Sequence, residues 1–207
     1  MTAVVVERVR VVCMGLSPYE STVEKMREFT AKRNAETADE IWLLEHPPVY
    51  TLGLAADAAH GPRTDTGIPV VQVERGGEVT YHGPGQLVLY ALVDLARRGI
   101  KVKQFVALLE QSVIDLLQGR AERKPGAPGV YVNGAKVAAL GIRVSRGCSF
   151  HGLALNVDMD LAPFMAIDPC GYPGMRVTQT RDMGILESEE ILGKKLARIL
   201  VGKLEHA

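Results

Sequence analysis

Three cysteines could supply a nucleophile, and their settings differ. Cys13 lies in Val12-Cys13-Met14, where a free thiol reads as a small core hydrophobe. Cys148 follows Arg146-Gly147 at the tip of an expected hairpin, the place for an incidental thiol, exposed or half-buried. Cys170 sits in Asp168-Pro169-Cys170-Gly171-Tyr172-Pro173-Gly174, with no apolar periodicity to absorb it. Proline and glycine shape such a loop and let a substrate approach closely. A loop cysteine without a function fits the same residues.

Lys136 is the second candidate. Period two along Ala135–Val144 places it on the face of Ala138, Leu140, Ile142 and Val144. An ammonium among apolar side chains is costly unless it is paired or loses its proton. The lysine could instead lie at the strand end and reach water along its stem, or Gly141 could mark a bulge that changes the phase. Beside a cysteine, a lysine can hold the thiolate and then move protons as general acid and base. Spacing alone does not bring Lys136 and Cys170 together.

The third element is Glu74-Arg75-Gly76-Gly77-Glu78-Val79-Thr80-Tyr81-His82-Gly83-Pro84-Gly85-Gln86. Its glycines expose backbone N–H groups, and Arg75, Thr80, His82 and Gln86 add polar contacts. It carries neither the G-K-[ST] of a phosphate-binding loop nor G-x-G-x-x-G. Two tight turns would also explain its glycines. In Phe150–Val157, Gly152 and Ala154 leave room on one face, as a strand lining a narrow acyl tunnel would and as a tightly packed sheet would. The five histidines are scattered, without a metal-binding spacing.

The elements that must position these residues are readable in part. A valine-rich strand is expected over 3–14 and a helix from Ser17-Pro18, with Ser17 and Glu20 as a capping box and Tyr19, Val23, Met26 and Phe29 on its inner face. Strands follow at 41–45, 49–53 and 70–74, separated by a long polar loop over 54–69. The apolar run Leu87–Val93 leads to an amphipathic helix marked by Phe105, Leu109 and Val113. Residues 119–128 read as a loop, Asn133-Gly134 as a two-residue hairpin turn, and 149–157 as a strand. Residues 160–187 show few periodic signals. Ser188 caps a last helix whose apolar face includes Ile191, Leu192, Leu196, Ile199 and Leu200. The sum is one α/β (α+β) domain over residues 1–207, with a mixed or antiparallel sheet and about three main helices.

Bulk properties narrow the classes. The 207 residues carry 24 basic and 24 acidic side chains, which argues against a general polyanion binder, so no nucleic-acid partner is expected. An odd cysteine count without C-x-x-C argues against a disulfide framework and fits a reducing, cytoplasmic setting. Charges at Glu7, Arg8 and Arg10 interrupt the first apolar stretch, which does not read as a signal peptide. No apolar run approaches the ~20 residues of a membrane span. Arg97, Arg98, Lys101 and Lys103 form a basic cluster, either a solvated helix entry or a docking patch for an acidic partner.

Taken together, these segments resemble the lipoate-pathway octanoyltransferases, also called lipoyl(octanoyl) transferases. The likeness runs from Leu44-Glu45-His46-Pro47-Pro48 to Val177-Thr178, about two-thirds of the chain. It is carried by Arg75–Gln86, by Gly134-Ala135-Lys136-Val137-Ala138-Ala139-Leu140-Gly141, by Phe150–Asn156 and by Pro169-Cys170-Gly171. The resemblance implies that Cys170 bears the acyl thioester and that Lys136 activates it. It also implies substrate contacts from Arg75, Gly76, Gly77, Glu78, Val79, Thr80, Tyr81 and His82, from Ala139, Leu140 and Gly141, and from Gly152, Leu153 and Ala154. The implied fold is that of the biotin and lipoate protein ligases. The implied donor is octanoyl-acyl carrier protein. The implied acceptors are lipoyl domains of 2-oxoacid dehydrogenase complexes and the glycine cleavage H protein. No cofactor is implied. Alternatives are an ATP-dependent lipoate or biotin ligase, a cysteine thioester hydrolase and a non-catalytic lipoyl-domain binder.

Overall fold

The computed structural model describes residues 9–57, 60–169 and 174–207. The apolar runs of the sequence pair into a seven-stranded mixed sheet. From one edge, β1 (Val9–Leu16) lies parallel to β2 (Asp39–Glu45), which is antiparallel to β6 (Gln86–Leu92). Antiparallel neighbours continue through β10 (Cys148–Asn156), β9 (Ala135–Ser145), β8 (Ala127–Val132) and β7 (Glu122–Lys124). A smaller sheet sets β3 (Val49–Leu52) between β4 (Val70–Gln72) and β5 (Val79–His82).

Every residue of β6 and β10 is buried, so these strands form the middle of the molecule. Alternation then divides their side chains between two layers. Leu87, Leu89, Ala91, Leu153 and Leu155 join a core with Phe105, Leu109 and Val113 of α3 (Val102–Leu116) and Leu192, Leu196 and Leu200 of α4 (Glu189–Glu205). Val88, Tyr90, Leu92, Phe150 and Ala154 face α1 (Tyr19–Lys32) through Tyr19, Val23 and Met26. Leu196 and Leu200 are fully buried, and each such side chain contributes roughly 1.5–3 kcal/mol. The short helix α2 (Leu95–Arg98), which the sequence reading did not contain, is capped by Asp94 through the Arg97 amide.

Several local expectations are corrected. Ser17 does not cap α1; its hydroxyl donates to Met14 O, and Pro18 occupies the N-cap position. The loop expected over 119–128 contains β7, a short strand exposed along its length. Ile191 is exposed, whereas Ser188 accepts from the Ile191 amide and caps α4 as expected. Cys13 is exposed rather than in the core, because β1 is the edge of the sheet. Cys148 stands at the hairpin end, as expected, but is buried rather than exposed or half-buried, because it is the first residue of β10 and pairs with Ser145. Of the strand expected over 3–14, the part before Val9 lies outside the described residues. Among the described residues no helix is long and apolar enough to cross a membrane.

Candidate active site

The Asn133-Gly134 turn has positive φ at both residues, 49° and 76°, as a type I′ hairpin turn requires. It launches β9 with Lys136 as its second residue. Lys136 is buried and does not reach solvent along its stem; its Nζ donates to Pro128 O at 3.2 Å and lies 5.3 Å from the Tyr131 ring centroid. The phase change falls at Val130/Tyr131 of β8, not at Gly141. The lysine backbone is held as firmly as its side chain. Its N–H donates to Arg176 O and its carbonyl accepts from the Thr178 N–H, both at 2.9 Å.

Cys170, with Gly171, Tyr172 and Pro173, lies outside the described residues. The chain on both sides is anchored. Asp168 pairs with Arg63, and its amide donates to His60 O at 3.0 Å. Val177 forms a parallel bridge with Lys136.

A cavity of about 320 Å³ opens beside this arrangement. Pro128, which accepts the Lys136 ammonium, is part of its wall. Its floor is a square of four small residues, because the register sets Ala154 opposite Ala139 and Gly152 opposite Gly141. A side chain could not be added at either glycine. A Cβ on Gly141 would come within 2.7 Å of Gly76 O, and one on Gly152 within 2.1 Å of Leu89 O. The glycine-rich stretch forms a further part of the wall. Beyond Ala138, β9 has no β8 partner, and the Gly76 N–H donates to Ile142 O at 3.0 Å instead. Arg75 folds back to donate to Thr51 O at 2.7 Å and Thr51 Oγ1 at 2.8 Å.

Of the residues singled out in the sequence, Arg75 to Thr80, His82, Ala139 to Gly141 and Gly152 to Ala154 line this cavity. Tyr81 does not: it packs against Tyr50 and Phe164. The basic cluster is also divided. Arg97 and Arg98 turn inward to Asp39, leaving Lys101 and Lys103 exposed.

Residues the sequence reading did not select complete the site. Tyr19, Tyr90 and His151 line the cavity. Tyr19 stacks on His82 with ring centroids 5.9 Å apart, and Tyr90 meets His151 edge-on at 5.8 Å. His46 bridges them: its Nε2 meets Tyr90 Oη at 2.7 Å and its Nδ1 lies 2.6 Å from Ser17 O. The Ser17 carbonyl can only accept, so His46 carries its proton on Nδ1 and accepts from Tyr90. Burial holds all three imidazoles neutral. It lowers the pKa of His46 to about 4, and that of His82 to about 3 with a further push from His46. His151 falls to about 3, through burial and then the Arg75 charge. Burial likewise raises the Tyr19 hydroxyl to about 12. Among the described residues no three His, Cys, Asp or Glu side chains converge to hold a metal.

A chain of hydrogen bonds joins the glycine-rich stretch to Lys136. His82 Nδ1 donates to Gln86 Oε1 at 2.7 Å, and Gln86 Nε2 donates to Asn156 Oδ1 at 3.0 Å. Asn156 Nδ2 donates to Thr178 O at 2.9 Å, and the Thr178 amide reaches Lys136 O. Gln86 Nε2 also donates to Tyr81 O, which fixes its orientation and hence the direction of the whole chain.

A mixed sheet with a glycine-rich wall, a buried lysine and a cavity between them defines the biotin and lipoate protein ligase fold. A bipartite lipoate protein ligase from Thermoplasma acidophilum superposes with a TM-score of 0.74 at 16% identity, over 96% of this chain and 84% of that one. The biotin protein ligase of Aquifex aeolicus, solved with biotin and ATP, gives 0.60 at 13% identity, over 96% and 70%. Residues 18–192 match the family described as the lipoyl protein ligase A/B catalytic domain. An octanoyltransferase of Aromatoleum aromaticum is 58% identical over 190 residues, covering 90% of this chain and 82% of that protein. The chain belongs to the lipoyl protein ligase A/B catalytic domain family and groups within it with the octanoyltransferases.

Proposed function

We propose that the chain transfers an octanoyl group from acyl carrier protein to a lysine of lipoyl domains, through a thioester on Cys170. The observation that carries this reading is the parallel bridge of Val177 to Lys136. It ties the segment that follows Cys170 to a buried lysine at the wall of an apolar cavity.

In the first step the Cys170 thiolate attacks the carbonyl carbon of the donor thioester. A new C–S bond forms, the pantetheine C–S bond breaks, and the departing sulfur takes its proton from the Lys136 ammonium, which is left neutral. One thioester replaces another, so no ATP is consumed. In the second step the ε-amine of the acceptor lysine attacks the enzyme thioester. An amide forms, Cys170 leaves as thiolate, and the amine proton passes to Lys136. Before attack, that amine must lose a proton held with a reference pKa of ~10.4. Lys136 supplies a cation beside the thiolate and a proton acceptor once the charge has gone. Exposed Lys101 and Lys103 are the remaining candidates for contact with an acidic carrier protein.

Intact mass after mixing with an octanoyl thioester tests this. The enzyme should gain one octanoyl group, mapped to Cys170, and hold it until a lipoyl domain is added. Cys148 should stay unmodified, since burial, followed by the Asp94 charge, raises its pKa. Exposed Cys13 is the control for adventitious acylation. Label on Cys148 or Cys13, or a thioester accumulating in Cys170→Ser, would overturn the assignment. Spontaneous release would indicate a hydrolase, and no acylation a ligase or a binder.

A further inference from the structure

The cavity has two unlike ends. Lys136 touches its wall at Pro128. The ammonium stands beside Ala138, since a Cβ on Gly129 would meet Lys136 Nζ at 3.2 Å and Ala138 O at 3.0 Å. Four residues further along β9, about 13 Å at strand rise, Ile142 pairs with His151. The small-residue floor lies between. This far end is polar. Tyr19 Oη, His151 Nδ1 and His151 Nε2 are buried and have no hydrogen-bond partner in the protein, although both residues line the cavity. Tyr19 is 5% exposed and His151 1%. His151 also holds φ at 60°, a left-handed conformation unusual inside a strand. Buried polar groups in native proteins nearly always find partners, so three unmet positions together mark a place for a group from outside the chain.

We propose that Tyr19 and His151 form a polar stop at the far end of the acyl cavity, which selects against saturated acyl chains longer than octanoyl. The proposal rests on the acyl-transfer reading above. A chain that ends short of the stop leaves these three groups to hydrogen-bond with water. A longer chain drives methylenes against them and strips that hydration without replacing it. A chain of the same length ending in a hydroxyl brings its own donor and acceptor. The stop therefore discriminates by chemistry as well as by length, as sites built to hydrogen-bond reject partners that cannot.

The experiment measures the rate of Cys170 acylation by octanoyl, decanoyl and 10-hydroxydecanoyl pantetheine thioesters, for the intact enzyme and for Tyr19→Phe and His151→Asn. Tyr19→Phe removes one oxygen and little volume, and asparagine tolerates the backbone of position 151. The intact enzyme should favour octanoyl over decanoyl by roughly tenfold or more, the scale of one buried group left unpaired. The terminal hydroxyl should recover most of that loss. Tyr19→Phe should narrow the octanoyl-to-decanoyl ratio and lessen the benefit of the hydroxyl. Equal rates for octanoyl and decanoyl, a hydroxyl without effect, or an unchanged ratio in Tyr19→Phe would each overturn the polar stop. Acylation by none of the three donors would overturn the acyl-transfer reading, and the stop with it.

Discussion

Val177 runs beside Lys136 as a one-rung parallel bridge, with Arg176 O and Thr178 N gripping the lysine backbone on either side. The lysine and the segment downstream of Cys170 are thereby held to one another. Anything that loosens Thr178 should disturb their register before it disturbs the fold.

Asn156 is the side chain that holds Thr178 O. Asn156→Asp keeps the acceptor for Gln86 but sets a carboxylate against the Thr178 carbonyl. Turnover should fall by roughly 10- to 100-fold, the kinetic equivalent of about 1–3 kcal/mol, with KM changing much less. Iodoacetamide alkylation of Cys170 against pH separates positioning from simple destabilisation. A lowered melting temperature with an unmoved alkylation profile would show that Asn156 acts only on the fold.

Lys136 should show two separable roles. Lys136→Met removes the cation, so alkylation of Cys170 near neutral pH should slow and its profile move upward. Lys136→Arg keeps a charge that does not give up its proton. It should preserve much of the alkylation rate and lose acyl transfer to a lipoyl domain. Full turnover in Lys136→Arg would eliminate the shuttle, and an unmoved profile in Lys136→Met the thiolate partnership.

The buried imidazoles make stability depend on acid. With pKa values near 4 for His46 and near 3 for His82 and His151, the folded state resists protonation that the unfolded chain accepts at about 6.5. The unfolded state therefore binds more protons below that pH, and stability rises with pH through this window. The urea midpoint should be steady above pH ~6.5 and fall progressively toward pH ~4. His151→Asn should flatten the slope, and a midpoint independent of pH across the window would contradict this account.

Asp39 carries a different kind of stake. Its carboxylate is fully buried and meets Arg33, Arg97 at 2.8 Å and Arg98 at 2.7 Å. Asp39→Ala leaves Arg33 and Arg98 without this anion and Arg97 with only Asp94 at 4.0 Å, and should cost about 3–5 kcal/mol, read as a shift in the urea midpoint. Arg98→Glu should destabilise through the same contact. A change in KM for the carrier protein at unchanged stability would place Arg98 on the docking surface instead.

The sequence made legible those parts of the molecule governed by local chemistry. Asn133-Gly134 specified its turn, Ser188 its cap, and the apolar run 87–93 and the alternation in 150–157 the central strands. The glycine-rich stretch was visible because Gly76 and Gly85 must lie close to backbone, at Ile142 O and Asp158 O. Tyr19, His46 and His151 were not visible as a group. They come from α1, the residue after β2 and the middle of β10, and meet only when the sheet is assembled. Arg97 and Arg98 read as surface because charge usually lies there, and the buried anion that turns them inward is nearly 60 positions away, at Asp39. Cys13 read as core because its neighbours are apolar, but nothing local reveals that β1 is an edge strand.

The Asp39 contact also bears on the order in which the chain assembles. Arg98 Nη1 donates to Leu204 O near the C-terminal end of α4, across 106 positions of sequence. Such a closure gains nothing until a long loop has been brought together, whereas the β9–β10 hairpin closes over a two-residue turn. The hairpin is thus placed to form early and the arginine–carboxylate knot to form late. Contacts made after the rate-limiting step govern how fast a protein comes apart rather than how fast it forms. Loosening this knot should leave the refolding rate nearly untouched and shorten the lifetime of the native state.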